Sequence, residues 1–417
     1  MERRDEPRHL AIDRDWLQDV LLELLRIPSP SGRTDVIMQH VGERLEEIGL
    51  DFELTRRGAM SAVLDGNGAS AVDLDRAIVV HTDTIGCMVR TLKDNGRLEV
   101  VPIGTHSPRF SEGTRVSVFT DDPERTYTGT ILPTKASGHA FGSEIDEHPH
   151  AWDLVEVRLD EHVHDADDLR DLGLQVGDFV AQMAFPVINR AGFVTSRHLD
   201  DKAGVAAALA AFKAVRDAGI TPVVGAHLLV TISEEVGHGA SSGLDRDVAE
   251  MVSVDAAVVA PGQHSTETGV TIAMQDLHGP FDYHLTRRLC VLGQRYGIEV
   301  NRDVFRHYRS DVASALEAGA ETRAALLGVG VDATHGHERT HLAGIEATAE
   351  LLALYLQMPL TFATWDAQPT RPLARFPSSA VQPVRREPEW DFEREDLFEN
   401  EPFPDVERER WPGDADD

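Results

Sequence analysis

Residues 200–235, DDKAGVAAALAAFKAVRDAGITPVVGAHLLVTISEE, decide how this chain is built. The first part is rich in alanine, the best helix former, and Gly219 closes it as a residue at ease in the left-handed conformation. After Pro222 the texture changes. Leu228, Leu229, Val230 and Ile232 make a short apolar run of high β propensity, which predicts a buried strand. The run ends at Glu234 and Glu235, beside Gly237 and Gly239. Adjacent carboxylates at the C-terminal edge of a buried strand repel each other and lose hydration, and a nearby cation reverses the sign of both effects.

Working outward, the same alternation recurs. Trp16, Val20, Leu21, Leu24 and Leu25 share one face of a helix that Pro28 and Pro30 stop, and a second helix is expected over Asp35–Ile48, ending at Gly49. AIVVHTDTIG (77–86) reads as a buried strand delivering His81 and Asp83 to its C-terminal end. VSVDAAVVAPG (252–262) reads as another strand, followed by a helix around Tyr283–Tyr296 and a helix with Ser310 as its N-cap. Between about 88 and 185 the pattern is different: RLEVVPI (97–103), TRVSVFT (114–120), TYTGTIL (126–132) and DLVEVRL (153–159) are short β-like runs separated by turn residues. The expected architecture is therefore α/β, a mainly parallel sheet flanked by helices, interrupted by a small β-barrel. The expected boundaries are 1–92 and 187–364 for the two parts of the catalytic domain, 93–186 for the inserted barrel, and 365–417 for an acidic, proline-rich disordered tail. Isolated aromatics in that tail, Trp390, Phe392, Phe398, Phe403 and Trp411, are candidates for a short docking motif.

Composition narrows the function. The chain has 417 residues, 40 basic against 71 acidic, and a net charge of −31. Nucleic acid and anionic membrane surfaces are poor partners for such a molecule. Two isolated cysteines, Cys87 and Cys290, argue for a reducing compartment and against a disulfide framework or a thiolate zinc site. The N-terminal stretch has no apolar signal core and no run is long enough to span a membrane, so the cytoplasm is the expected location.

Five short stretches place oxygen and imidazole donors where strands are expected to give way to loops: His81 and Asp83, Asp200 and Asp201, Glu234 and Glu235, Asp255, and His335, His337 and His341. Donors of this kind without thiolate suit zinc, cobalt or manganese. Two ions would need one shared carboxylate, further ligands for each, and a free carboxylate as base. A lone histidine at a strand end is more often a hydrogen-bonded structural residue than a ligand, and an acid pair before a helix often only complements the macrodipole. The joint occurrence in this order favours a metal site.

In motif order from about residue 15 to 360, including LGLQVGDFVAQ (172–182), the chain resembles the co-catalytic dinuclear metallo-aminopeptidases that include glutamyl aminopeptidases and the tetrahedral self-assembling aminopeptidases. The resemblance implies that Asp200 bridges two divalent ions, zinc first, with cobalt or manganese as alternatives. It implies His81 and Asp255 on one ion and Glu235 and His335 on the other. A hydroxide held between them would be the nucleophile, Glu234 the general base and Asp83 the acid that orients His81. It further implies a short peptide or peptide-like substrate and a homo-oligomer, from a dimer built through the barrel to a dodecamer. HTDTIGCMVRTLKDNGRL (81–98) and FDYHLTRRL (281–289) are similar to the subgroup associated with the N-acetylglutaminylglutamine amide osmolyte system. The stretch 256–285 and THGHERTH (334–341) depart from the general family pattern, and His337 or His341 compete with His335 for the ligand role. Two other readings stand beside the aminopeptidase: a deacylase or amidase of N-acylated amino acids or dipeptides, and a non-catalytic assembly protein on the same fold.

Overall fold

The structure is a computed structural model that describes residues 6–68 and 74–361. The expected tail from 365, with its candidate docking aromatics, lies outside the described residues. Four parallel strands carry the centre of a twelve-stranded sheet: β1 (Asp75–His81), β2 (Ala226–Thr231), β3 (Val248–Val259) and β4 (Arg323–Asp332), side by side in the order β2-β1-β3-β4. Antiparallel strands flank these four on both sides, although Val270–Asp276 in turn pairs in parallel with Val300–Val304. Met60–Leu64 pairs with β2, and β4 pairs with Val270–Asp276 and, through one residue pair, with Glu338–His341.

Side chains of a strand point alternately to opposite faces, and the apolar residues of β1 show it. Ile78 and Val80 belong to the large core under the helices, whereas Ala77 and Val79 belong to a smaller core with Met251, Val312 and Ala315. The large core is covered by α1 (Leu199–Asp217) and α2 (Leu342–Leu356), with Arg14–Arg26, Asp35–Ile48 and Tyr283–Tyr296 contributing buried faces. In α1 the alanines 206, 207, 208, 210 and 211 are all buried, and their small side chains let the helix lie close to sheet and neighbouring helices at once.

Two expectations from sequence are adjusted. Ser310 occupies the N-cap position of the helix Asp311–Glu317, but its hydroxyl makes no capping bond. Asp255 does not sit where its strand gives way to a loop: β3 continues to Val259. The register gives the reason. Ser253 pairs with Val79, which sets Asp255 level with the end of β1, and β3 runs on because β4 accompanies it, Asp255 pairing with Gly328 and Ala257 with Gly330. A Cβ on Gly328 would lie 2.3 Å from that of Ala257, so glycine permits this close approach.

The residues from Gly86 to Gln182 carry a closed six-stranded barrel, Gly86–Leu92, Leu98–Ile103, Val155–Leu159, Thr126–Pro133, Arg115–Phe119 and Phe179–Gln182 in order around the ring. Closure leaves no unpaired edge. Inside it Val89, Leu98, Val100, Val116, Val118, Ile131, Val157 and Val180 form a separate apolar core. Among the described residues no helix is long and apolar enough to cross a membrane, and Cys87 and Cys290 are both buried free thiols.

One charge cluster in the barrel is a stability element. Glu156 is 2 % exposed and accepts from Lys93 and Arg97. Burial pushes its carboxyl up, but these two cations outweigh burial and hold it below the usual range. A carboxylate lowered in the folded state stabilises above its unfolded pKa and loses that contribution as pH falls through the folded value. Glu156→Gln is expected to cost about 1–3 kcal/mol at pH 7. The urea midpoint of the wild type is expected to fall more than that of the variant between pH 6 and pH 3.

Candidate metal centre

The candidate donors come from two strand ends and the turns after them, from the interior of β3 and from the start of α1. β1 ends at His81, and Asp83 follows in the turn. Glu234 and Glu235 follow β2, Asp255 is level with them on β3, and His335 lies in the turn between β4 and the strand Glu338–His341. Asp200 stands at the start of α1, where Asp200 and Asp201 have non-helical dihedrals, so its side chain is not committed to the helix.

These residues converge. His81 Nε2 lies 3.2 Å from Asp200, 3.8 Å from Asp255 and 3.9 Å from Glu234. His335 Nε2 lies 3.5 Å from the other oxygen of Asp200 and 3.4 Å from Glu235. Two groups could each hold a metal ion, His81 with Glu234 and Asp255, and Asp200 with Glu235 and His335, the donor atoms of each group lying within 4.8 Å of one another. Asp200 touches both imidazoles and so lies between the groups. Of the three histidines in 334–341, His335 enters the cluster. His341 instead caps α2, accepting from Ala343 N, and meets the Ala191 carbonyl.

The hydrogen bonds fix which atoms face inward. His81 Nδ1 donates to the main-chain oxygen of Asp83 at 3.0 Å, which leaves a lone pair on Nε2. That nitrogen is buried and has no hydrogen bond of regular geometry, although oxygens of three carboxylates lie within 4 Å of it. His335 Nδ1 likewise donates to a carbonyl, that of Thr105 in the barrel, at 2.8 Å. An imidazole held by one nitrogen with the other aimed at carboxylates is the arrangement that metal-binding histidines use. The donor set fits a divalent ion of borderline hardness.

The carboxylate of Asp83 does not make the ring bond expected of it: its Oδ1 stays 3.6 Å from His81 Nδ1. It binds main chain, accepting from Glu234 N at 3.1 Å and Glu235 N at 3.3 Å, and it also accepts from Ser31 Oγ at 2.5 Å. Asp83 thus orients the turn that carries the two glutamates, while its peptide oxygen orients the histidine. Glu235 accepts in addition from Ile85 N.

Electrostatics show how strongly the cluster demands positive charge. Burial opposes protonation of His81, yet Asp200, Asp255 and Asp83 raise its pKa well above the ordinary imidazole value. His335 is pushed up to about 10 by Glu235 and Asp200 against its burial. Burial lifts Glu234 well above the carboxylate range, Glu235 to about 8 and Asp255 to about 6, and repulsion among the acids adds to each. Asp200, against its burial, is held low by the two imidazoles. A cluster that draws positive charge in this way suits divalent ions.

Sequence reasoning did not single out Ser31, the Thr105 carbonyl or Tyr308. Tyr308 has its hydroxyl buried beside Asp255 without a hydrogen bond of regular geometry. Ser31 stands in a Pro-Ser-Gly turn that reads only as a helix stop, and a carbonyl leaves no mark in sequence.

Comparison with known proteins places this geometry. Residues 58–351 match the family model described as M42 glutamyl aminopeptidase. The Bacillus subtilis (strain 168) protein YhfE is 34% identical over 342 residues, covering 82% of this chain and 97% of its own. Aminopeptidase APDkam598 of the archaeon Desulfurococcus kamchatkensis shares the fold with a TM-score of 0.74 at 20% identity, over 82% of this chain and 95% of that one. The Pyrococcus horikoshii TET1 peptidase does so with a TM-score of 0.72 at 20% identity, over 82% and 100%. The chain belongs to the M42 glutamyl aminopeptidase family and is a metal-dependent aminopeptidase that hydrolyses peptides.

Proposed function

We propose that the chain works through two divalent ions, with His81 and Asp255 on one, Glu235 and His335 on the other, and Asp200 shared. The observation that carries this reading is the unpartnered Nε2 of His81 facing three carboxylates, with Asp200 reaching a second imidazole on its far side. Two imidazoles and several carboxylates without thiolate favour zinc, with cobalt or manganese as alternatives. Such ions supply Lewis acidity, polarising an amide carbonyl and making water nucleophilic at neutral pH. Glu234 belongs to the donor group of His81 and Asp255 and stands 3.9 Å from His81 Nε2; with Asp200, at 3.2 Å, taken as the shared ligand, Glu234 is the carboxylate that serves as base. It takes the proton of the attacking water and returns it to the leaving nitrogen as the amide bond breaks. Asp83 holds Glu234 in place through its main-chain nitrogen.

The substrate we infer is a short peptide or peptide-like osmolyte of the N-acetylglutaminylglutamine amide kind, hydrolysed in the cytoplasm. The support is the form of residues 81–98 and 281–289, together with the divergent segments 256–285, which follows Asp255, and 334–341, which holds His335. The barrel is the dimerisation element of a homo-oligomer reaching up to a dodecamer. Support comes from the Pyrococcus horikoshii TET1 peptidase, which assembles into a tetrahedron or an octahedral shell.

Glu234→Gln is expected to retain two equivalents of zinc while kcat falls about 10²- to 10⁴-fold; undiminished turnover refutes its role as base. Dialysis against a chelator is expected to abolish hydrolysis, and two equivalents of zinc or cobalt per chain to restore it, followed by metal analysis and activity together. A mass-resolved screen of short free-amine peptides, N-acetylated amino acids and N-acetylated glutamine dipeptides tests the substrate. Release of the N-terminal residue from free peptides alone removes the osmolyte assignment, and cleavage confined to N-acyl amino acids establishes the deacylase reading instead.

A further inference from the structure

Two segments bring Asp200 and His335 together, and both have unusual backbones. His335 has φ +62°, Ala333 +58° and His198 +67°, none of them glycine. Such conformations persist where the surroundings over-determine them. The strand Phe193–Ser196 pairs with Glu338–His341, Ser196 lying opposite Glu338, so the two segments leave the sheet side by side.

Glu338 lies between them, 1 % exposed. Its Oε2 accepts from Leu199 N at 2.6 Å and Asp200 N at 3.2 Å, and its Oε1 accepts from His335 N at 2.9 Å. One carboxylate therefore binds the main chain of a residue in each segment. From the other side Arg197, 7 % exposed, donates to Gly336 O at 3.2 Å, to Gln182 Oε1 at 2.8 Å, to Phe110 O at 2.5 Å and to Thr114 Oγ1 at 2.6 Å. A buried guanidinium with four neutral acceptors is retained at a desolvation penalty. Here its acceptors come from the His335 turn and from three places in and around the barrel. The turn His335-Gly336 is thus gripped by an acid at its amide, a base at its carbonyl, and the Thr105 carbonyl at its ring.

We propose that Glu338 is a positioning residue that sets the separation of Asp200 and His335, with Arg197 holding the same turn against the barrel. This rests on the dinuclear reading above and names what keeps its second ligand set in shape. The carboxylate is required because both of its oxygens accept. A carboxamide has one accepting oxygen and one donating nitrogen, so Glu338→Gln would leave an N–H facing an N–H in one of the two segments.

The test is calorimetric titration of zinc into metal-free wild type, Glu338→Gln and Arg197→Lys, with circular dichroism and thermal unfolding of the metal-free proteins alongside. The wild type is expected to take two ions. Glu338→Gln is expected to bind the weaker one about 10- to 100-fold less tightly while remaining folded. Arg197→Lys leaves Glu338 in place and reaches fewer acceptors, so it is expected to shift the same ion in the same direction. It serves as the readout where Glu338→Gln does not fold. Lowered thermal stability with both zinc affinities unchanged shows a purely structural role and overturns the proposal. A wild type that binds fewer than two ions overturns the dinuclear reading and this inference with it.

Discussion

Everything at the C-terminal edge of the sheet follows from crowding four acids, two buried and two nearly so, against two imidazole nitrogens that have lone pairs to offer. Neither hydration nor internal hydrogen bonding neutralises that concentration of acceptors. Burying charge without compensation is among the most unfavourable things a fold can do. Under the proposed function a cation compensates it, and the neighbouring bonds serve to keep the donors pointed inward: Asp83 and Thr105 through their carbonyl oxygens, Asp83 again through its carboxylate.

The sheet supplies the distances. Parallel strands of nearly equal register bring the ends of β1 and β2 to one line, with Thr231 beside His81, and β3 offers Asp255 at the same level without ending there. The continuation of β3 along the glycine-bearing β4 places the turn with His335 beyond the edge, from which it folds back over Asp200. Apolar cores cover the sheet on both faces, Ile78 and Val80 packing into the larger and Ala77 and Val79 into the smaller, so the strands that carry the candidate donors are held from two sides.

Much of this was legible in residues 200–235 and their echoes along the chain. Alanine-rich helix and continuous apolar strand are long, strongly patterned signals, and they located the parallel core, the helix Asp35–Ile48 and the short barrel strands between turns. The candidate residues were legible because metal chemistry restricts residue type. Three things were not. The end of β3 depends on glycines of a partner strand some seventy residues away. The division of work in Asp83 depends on which of its oxygens meets which nitrogen, and residue identity does not specify that. The Thr105 contact uses a peptide group that every residue possesses. Ser310 shows the opposite case, a favourable capping residue in extended backbone at the N-cap whose buried hydroxyl makes no capping bond.

The bond between the His335 ring and the Thr105 carbonyl ties the inserted segment to the candidate metal centre. Modules that meet only through a linker can be exchanged between relatives, each keeping its own behaviour. Here a transplanted barrel would bring a different loop to the imidazole, and the recipient would inherit a misaimed nitrogen. The loop after the barrel strand and the turn that carries His335 are in this sense one unit of geometry, and exchanging either alone would disturb the other.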